Sequence, residues 1–382
     1  MKKRLSWVLV IGLCLAGLLL LVGVVLPRFG INFITLLNRS GTLNLRTQPG
    51  FYVDVYMEGL AGPRFITFSS EGELYAAERG TGRIVAISDP DGDGEADSIR
   101  IFAENLQAPH SLVFHEGSLY VGVPDGVVRL TDLDGDGVSD ETVQVVEQDS
   151  PGNHNTRTVL FLPDGRMVVA KGSSCNVCVE SDPYRAAITV YDGPGGENPL
   201  LYASGLRNAV GLALQPETGL LWATNNGRDL MGDDLPPDEI HRVREGADYG
   251  WPFCHSGRLE DPDLGFPGAC EGVVAPVVEI QAHSAPLGLI FYDGDLFPAD
   301  FSGDLFVAYH GSWNRTIPTG YKVVRIPFEN GEVAGEIEDF VWGWLSAGGV
   351  SGRPVGLAIG PDGALYVSDD YGGRIYRVVY NP

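Results

Sequence analysis

One phrase recurs six times along the chain: an apolar strand, a turn carrying glycine, and a second apolar strand. The copies are FITFSSEGELYAAE from Phe65, SLVFHEGSLYVG from Ser111, TVLFLPDGRMVVA from Thr158, GLALQPETGLLWAT from Gly211, GLIFYDGDLFPADFSGDLFVA from Gly288 and GLAIGPDGALYVSD from Gly356. Short apolar runs split by such a turn read as β-hairpins. One small sheet cannot bury both of its faces alone, whereas a closed ring of them can, and closure also protects the edges. The fold this predicts is all-β: a six-bladed β-propeller over residues 46–382, closed by a strand near residues 51–57 that joins the last copy. Insertions follow the third, fourth and fifth copies. In a propeller such loops gather on one face around the central channel, so function is expected there.

Composition narrows the partners. Fifty acidic residues against 26 Lys and Arg give a formal charge of -24. A surface that acidic repels phosphate backbones, which excludes nucleic acid as a natural ligand. Gly and Pro supply about a fifth of the residues, in keeping with many tight turns.

The N-terminus carries a different signal. Lys2, Lys3 and Arg4 precede an apolar run over residues 7–26. About 20 such residues cross a bilayer as a helix. The basic flank stays in the cytoplasm, which puts the body outside. Residues 1–28 are therefore expected to form a transmembrane anchor and 29–45 a linker, leaving the propeller periplasmic or at the cell surface. A cleaved signal peptide, giving a secreted protein, is the rival. Cysteine usage agrees with an oxidising compartment. Beyond Cys14, Cys175 with Cys178 and Cys254 with Cys270 are natural pairs, free thiols or a zinc site being the alternative.

Polar residues enter the inner strands at matching places. Arg64, His110, Arg157, Asn208 and Arg353 stand at even offsets from the last apolar residue of their strands, hence on one face. His154 and Arg207 lie in the entry loops. A basic channel mouth in an acidic protein suggests an anionic ligand; hydrogen bonding between blades is the plainer explanation. His154 is a candidate general base. The 226–239 loop offers carbonyls and carboxylates that suit Ca²⁺. Two aspartate ladders, Asp89-Asp91-Asp93-Asp97 and Asp132-Asp134-Asp136-Asp140, match positions 1, 3, 5 and 9 of a calcium loop with Gly at 6, though neither has the closing Glu.

Gly-Leu-Arg207-Asn208, Leu-Trp-Ala-Thr, Asp-Glu-Ile and Tyr-Gly-Trp-Pro within residues 205–252 together resemble the soluble PQQ-dependent sugar dehydrogenases. Gly172-Ser-Ser-Cys-Asn and His310-Gly-Ser-Trp-Asn-Arg315 point to their sorbosone and pyranose dehydrogenase branch. The resemblance runs from about residue 45 to the end and implies a six-bladed propeller that oxidises an aldose or sugar aldehyde at C1 with PQQ and Ca²⁺. It matches His154 to the catalytic base and Arg207 and Asn208 to residues at the quinone. It matches Arg353 to a carboxylate-binding arginine, Gly227 and Arg228 to carbonyl ligands of the Ca²⁺ bridging to PQQ, and Glu239 and Tyr249 to ligands of a further Ca²⁺. With them, Arg64, Asn153, His310 and Arg315 complete the expected cofactor site. There are departures: Asn153 replaces an aspartate, Ser351 a second arginine, and the 310–315 insertion a lysine. The sugar and the electron acceptor stay unnamed. A calcium-dependent propeller lactonase and a non-catalytic glycan- or protein-binding propeller are the alternatives, since fold does not settle function.

Overall fold

The computed structural model describes residues 44–149 and 152–382. Among them, six antiparallel sheets of four or five strands are arranged as the blades of a propeller. Blade 1 is Pro63–Phe68, Leu74–Glu78, Arg83–Ser88 and Ser98–Ala103. Blade 2 is Ser111–His115, Ser118–Val123, Gly126–Thr131 and Glu141–Glu147. Blade 3 is Arg157–Phe161, Met167–Lys171, Ala187–Tyr191 and Leu200–Ser204, extended by Ala247–Asp248. Blade 4 is Leu212–Leu214, Leu221–Asn225, Asp238–Val243 and Val278–Ile280. Blade 5 is Pro286–Phe291, Leu305–Tyr309, Lys322–Ile326 and Glu338–Trp342. Blade 6 is Pro354–Ile359, Leu365–Asp369 and Arg374–Tyr380, and Phe51–Glu58 pairs with its third strand to close the ring. Arg46–Thr47 adds a fifth strand to blade 5. The expected anchor, and the linker up to residue 43, lie outside the described residues. Among those described, no helix is long and apolar enough to cross a membrane.

The recurring glycine of the inner strands has a steric cause. A Cβ on Gly211 would meet the Leu287 carbonyl at 2.1 Å, one on Gly288 the Val355 carbonyl at 2.5 Å, and one on Gly356 the Arg64 carbonyl at 2.8 Å. Only glycine lets neighbouring inner strands approach this closely around the axis. Hydroxyls then tie blade to blade. Ser111 Oγ donates to the Arg157 carbonyl (2.9 Å), Thr158 Oγ1 to that of Val210 (2.5 Å) and Thr224 Oγ1 to that of Leu287 (2.9 Å). Ser368 Oγ closes the round on the Arg64 carbonyl.

The core lies between blades. Trp222, fully buried, packs with Ile240, Leu289, Phe291 and Val307 between blades 4 and 5. Phe51, Phe297, Phe306, Phe340, Trp344 and Tyr376 fill the space between blades 5 and 6. Their rings meet mostly edge to face, as Phe306 and Phe340 do at 4.7 Å, the arrangement that aromatic quadrupoles favour. All inner strands start at the same end of the ring. The residues before them, and the insertions after the second strands of blades 3, 4 and 5, therefore share one face.

Candidate active site at the channel mouth

Two polar centres occupy that face. The first forms around Asp370, just past the second strand of blade 6. Arg64 Nη1 reaches its carboxylate at 2.6 Å, Arg353 Nε at 3.1 Å and His310 Nε2 at 3.1 Å. Burial alone would raise the Asp370 pKa, but His310 and the two guanidinium groups outweigh it and hold the carboxyl well below its usual range. Arg64 Nε also donates to His110 Nδ1 at 3.3 Å, so the His110 proton sits on Nε2, which is buried and unpartnered. Burial, with the cations of Arg64 and Arg79 added, keeps His110 neutral. Arg79 extends the cluster toward blade 3 through the Asn155 side chain, 3.1 Å away. Asp369 turns aside, its oxygens taken by the N–H groups of Arg353, Tyr371 and Gly372 and by the Tyr376 hydroxyl. Three guanidinium groups thus face two carboxylates, leaving at least one positive charge in excess.

The second centre is Arg207, buried before the inner strand of blade 4. Its Nε donates to the Asn176 carbonyl (3.0 Å), and its Nη1 to the carbonyls of Asn226 (3.2 Å) and Gly227 (2.6 Å). Its Nη2 donates to Asn176 Oδ1 (2.8 Å) and Asp229 Oδ2 (3.0 Å). These bonds occupy the five donors of the guanidinium fork. Asn176 sits inside the Cys175–Cys178 disulfide loop and returns the contact, its Nδ2 donating to the Asp229 carbonyl at 3.0 Å. The second disulfide joins Cys254 and Cys270.

His154 lies beside this platform. Its Nδ1 is 3.0 Å from the Ser173 carbonyl and 2.9 Å from Ser173 Oγ. The Ser173 hydroxyl gives its own proton to the Cys175 carbonyl at 2.6 Å. Both atoms facing Nδ1 are therefore acceptors, the proton belongs on Nδ1, and Nε2 presents a lone pair. Nε2 forms no hydrogen bond among the described residues. Burial, reinforced by the Arg207 charge, lowers the His154 pKa to about 3. Gly172 brings His154 and Asn208 together: a Cβ there would touch His154 Cβ at 2.5 Å and Asn208 Oδ1 at 2.6 Å. That Asn208 oxygen is buried without a partner.

The expected site residues divide. Arg64, His310 and Arg353 converge, as do His154, Arg207 and Asn208, while Asn153 is exposed at the rim. Arg157 is a correction to the basic ring. It is fully buried, and its guanidinium serves the backbone carbonyls of Thr156 (2.9 Å) and Asp149 (3.1 Å). Arg315 is another: it turns into the loops and binds the Asp233 carbonyl and Asp234 Oδ1. Asp370, Asp229 and Asn176 organise the two centres; the sequence offers Asp229 only as a loop carboxylate and Asn176 only within a motif, and does not single out Asp370. Their only local signals are the Asp-Asp-Tyr-Gly-Gly turn after the last copy, the Arg-Asp of the long loop, and the Cys-Asn-Val-Cys spacing.

The metal expectations fare differently by place. A cation on the Gly227 carbonyl would share that oxygen with the Arg207 guanidinium at 2.6 Å, so this carbonyl does not fit a bridging Ca²⁺. The Arg228 side chain points elsewhere, to Asp261 (2.5 Å) and Asp263 (2.9 Å). Glu239 is already saturated. Asn225 Nδ2 (2.8 Å), His241 Nε2 (2.9 Å), and the Ser256 N–H (2.9 Å) and hydroxyl (2.8 Å) meet its two oxygens. The Tyr249 hydroxyl is capped by the Arg244 N–H and the Arg242 carbonyl. At Glu239 protein partners thus occupy the carboxylate oxygens a Ca²⁺ would need, and at Tyr249 they occupy the hydroxyl. The two aspartate ladders do converge. One oxygen each from Asp89, Asp91 and Asp97, and likewise from Asp132, Asp134 and Asp136, fall within 4.8 Å of one another. Asp93 and Asp140 fall outside these groups; their carboxylates, like those of Asp89, Asp91, Asp132, Asp134 and Asp136, accept from loop N–H groups.

For PQQ, an anionic tricarboxylate, the donor set fits. Excess positive charge around Asp370 and a lone pair on His154 Nε2 stand on one face.

Comparison with known proteins follows the same line. An uncharacterized protein of Borreliella burgdorferi is 26% identical over 376 residues, covering 92% of this chain and 95% of that protein. The pyrroloquinoline quinone-dependent pyranose dehydrogenase of Coprinopsis cinerea is 25% identical over 401 residues, covering 86% of this chain; this chain spans 54% of that protein's length. The solved holo form of the Coprinopsis cinerea pyranose dehydrogenase PQQ domain superposes with a TM-score of 0.76 at 22% identity, over 89% of this chain and 98% of that one, which establishes the shared fold. A family model for TrAA12-like proteins matches residues 45–257 and 267–381, and the chain belongs to that family.

Proposed function

We propose that this chain is a PQQ-dependent oxidoreductase that oxidises the C1 position of an aldose or related sugar aldehyde, outside the cytoplasm. The observation that carries the reading is the pairing, on one face, of excess positive charge with a histidine nitrogen held as a lone pair. The likeness to the pyrroloquinoline quinone-dependent pyranose dehydrogenase of Coprinopsis cinerea supports it.

When bound, PQQ supplies the two-electron acceptor for the hydride leaving sugar C1. The protein's own residues do the rest. Arg64 and Arg353 bind cofactor carboxylates, with Asp370 holding both side chains in place. His154 Nε2 takes the proton of the C1 hydroxyl as the C–H bond breaks, giving a lactone, or an acid from a hydrated aldehyde. The Ser173 carbonyl and hydroxyl fix the tautomer this requires. Arg207, with every donor engaged, positions the Asn226–Gly227 backbone and contributes its field near the developing charge, not a free hydrogen bond. The two aspartate loops take Ca²⁺ as structural ions remote from the chemistry. Adding Ca²⁺ at about ten times Kd should then raise stability by about 1.4 kcal/mol for each loop, and Asp134→Asn should remove the share of its own loop.

The test is reconstitution. The full chain is mixed with PQQ and offered a panel of aldoses, and reduction of an artificial acceptor is followed. Turnover that requires PQQ is expected. No PQQ-dependent turnover, together with hydrolysis of a lactone, would replace the oxidoreductase with a hydrolase.

A further inference from the structure

We propose that the loops roofing the channel mouth form a bilayer-docking surface, so that the mouth opens toward the lipid interface. The three insertions make one connected cap. Asn176 of the disulfide loop binds the Asp229 backbone. Asn314 Nδ2 donates to Asp229 Oδ1 at 2.8 Å, and the Thr316 N–H to Asp233 Oδ1 at 3.1 Å. His283 Nε2 is 2.8 Å from the Gly232 carbonyl. From this cap Val179, Leu230, Leu235, Trp313 and Ile317 stand out, 42–75% exposed. Large apolar side chains grouped on linked loops mark an interaction surface, whereas single ones scattered over outer strands need no explanation.

The occupant is argued from where the chain enters the fold. Arg46 pairs with Trp342, Trp342 with Lys322, Lys322 with Tyr309, and Tyr309 with Pro286. That register places Arg46 at the inner-strand start of blade 5, beside the 310–321 insertion. Asn44 and Arg46 also line a cavity of about 370 Å³ with Ser346 and Ser351, two residues from Arg353. The polypeptide therefore leaves the propeller on the mouth face. Seventeen residues separate it from the apolar run over residues 7–26, a length of chain that reaches at most about 60 Å when fully extended. A bilayer holding that run lies within reach of this face. Charge selects the lipid: Asp234 is exposed and Asp233 half-buried among the apolar side chains, Arg315 offsets only one of them, and the chain is strongly acidic, which favours zwitterionic over anionic headgroups. Trp313 at the rim is the residue type that settles at such interfaces.

The inference rests on the membrane-anchor reading of the N-terminus and is independent of the chemistry proposed for the mouth. Full chains carrying Cys14→Ser together with Ile317→Cys or Leu133→Cys are labelled with an environment-sensitive fluorophore and bound to phosphatidylcholine vesicles containing brominated lipid. Leu133 is 70% exposed but lies in an aspartate loop at the opposite end of its blade. Quenching of the label at 317 by roughly two-fold or more, with 133 unaffected, is expected for a side chain at the headgroup boundary. Equal responses at the two positions would overturn the proposal, as would a chain that fails to bind vesicles. Protection of position 317 only on adding a partner protein, or only on self-association seen by sedimentation, would equally replace the bilayer. A second pair, Trp313→Ser with Leu230→Ser, should weaken quenching at 317 without changing PQQ-dependent turnover in detergent.

Discussion

The two polar centres of the mouth solve opposite problems. Around Asp370, a carboxylate is outnumbered: Arg64, Arg353 and, at longer range, Arg79 crowd it, and His310 completes its shell. Around Arg207, a cation is fully enclosed by four carbonyl or amide oxygens and the single carboxylate of Asp229. The first centre leaves charge unspent and can take an anion. The second leaves none and serves as a rigid floor under His154. Arginine at both centres would have suggested equal roles; the partners decide otherwise.

The sharpest break between the centres is chemical. His154→Ala should lower kcat by about 10²–10⁴-fold, the usual worth of a general base, while PQQ titrates the variant as it does the parent. Unchanged turnover would remove His154 as the base. The low pKa near 3 adds a pH signature. Nε2 stays unprotonated down to about that value, so kcat/KM should show no acid limb between pH 5 and 7 from this group. A break near 6.5 would mean that the imidazole is not enclosed as described.

Next in size is Asp370→Asn, which strips the gathered cations of their partner. Removing one member of a buried charged set costs about 3–5 kcal/mol. The melting temperature should fall accordingly, and added PQQ should recover more of it than it adds to the parent protein. A melting temperature unmoved by the change would show that Asp370 does not hold the cluster. Asn176→Ala should cost less, about 1–3 kcal/mol. It would appear as a kcat loss at near-constant PQQ affinity, since it loosens only the Arg207 floor; an equal loss of affinity would merge the two centres into one.

A smaller effect belongs to neither centre. Asp261 is buried; burial pushes its carboxyl up, but Arg228 and His255 outweigh that and lower the pKa to about 2. The unfolded value is near 3.9. A depressed carboxylate stabilises the fold above the unfolded value and loses that contribution as pH falls through the folded one. About 1–2 kcal/mol should therefore disappear between pH 4 and 2 in the parent, and an acid titration of Asp261→Asn should lack that segment.

How much of this the sequence carried depends on range. Blades were legible because strand alternation, turn glycines and the Gly211, Gly288 and Gly356 positions are local consequences of the fold. His154, Arg207 and Asn208 were legible because their neighbours carry family motifs. The pairing of Arg64 with Asp370, 306 residues apart, was not, since nothing local says which charge will meet which. Arg315 and Arg157 misled for the same reason: a basic residue in the right loop was counted as ligand-facing, while its donors had nearer carbonyls to satisfy. The calcium expectation at Gly227 failed on an arginine already named, whose direction a sequence does not give.

The central claim is that excess positive charge around Asp370 holds an anionic cofactor. Calorimetric titration of the full chain with PQQ, for the parent and for Arg353→Gln, tests it most directly. The account predicts saturable binding by the parent and an affinity at least about tenfold weaker in the variant, the loss of one charge-assisted contact. Binding of equal strength in the two proteins would contradict it.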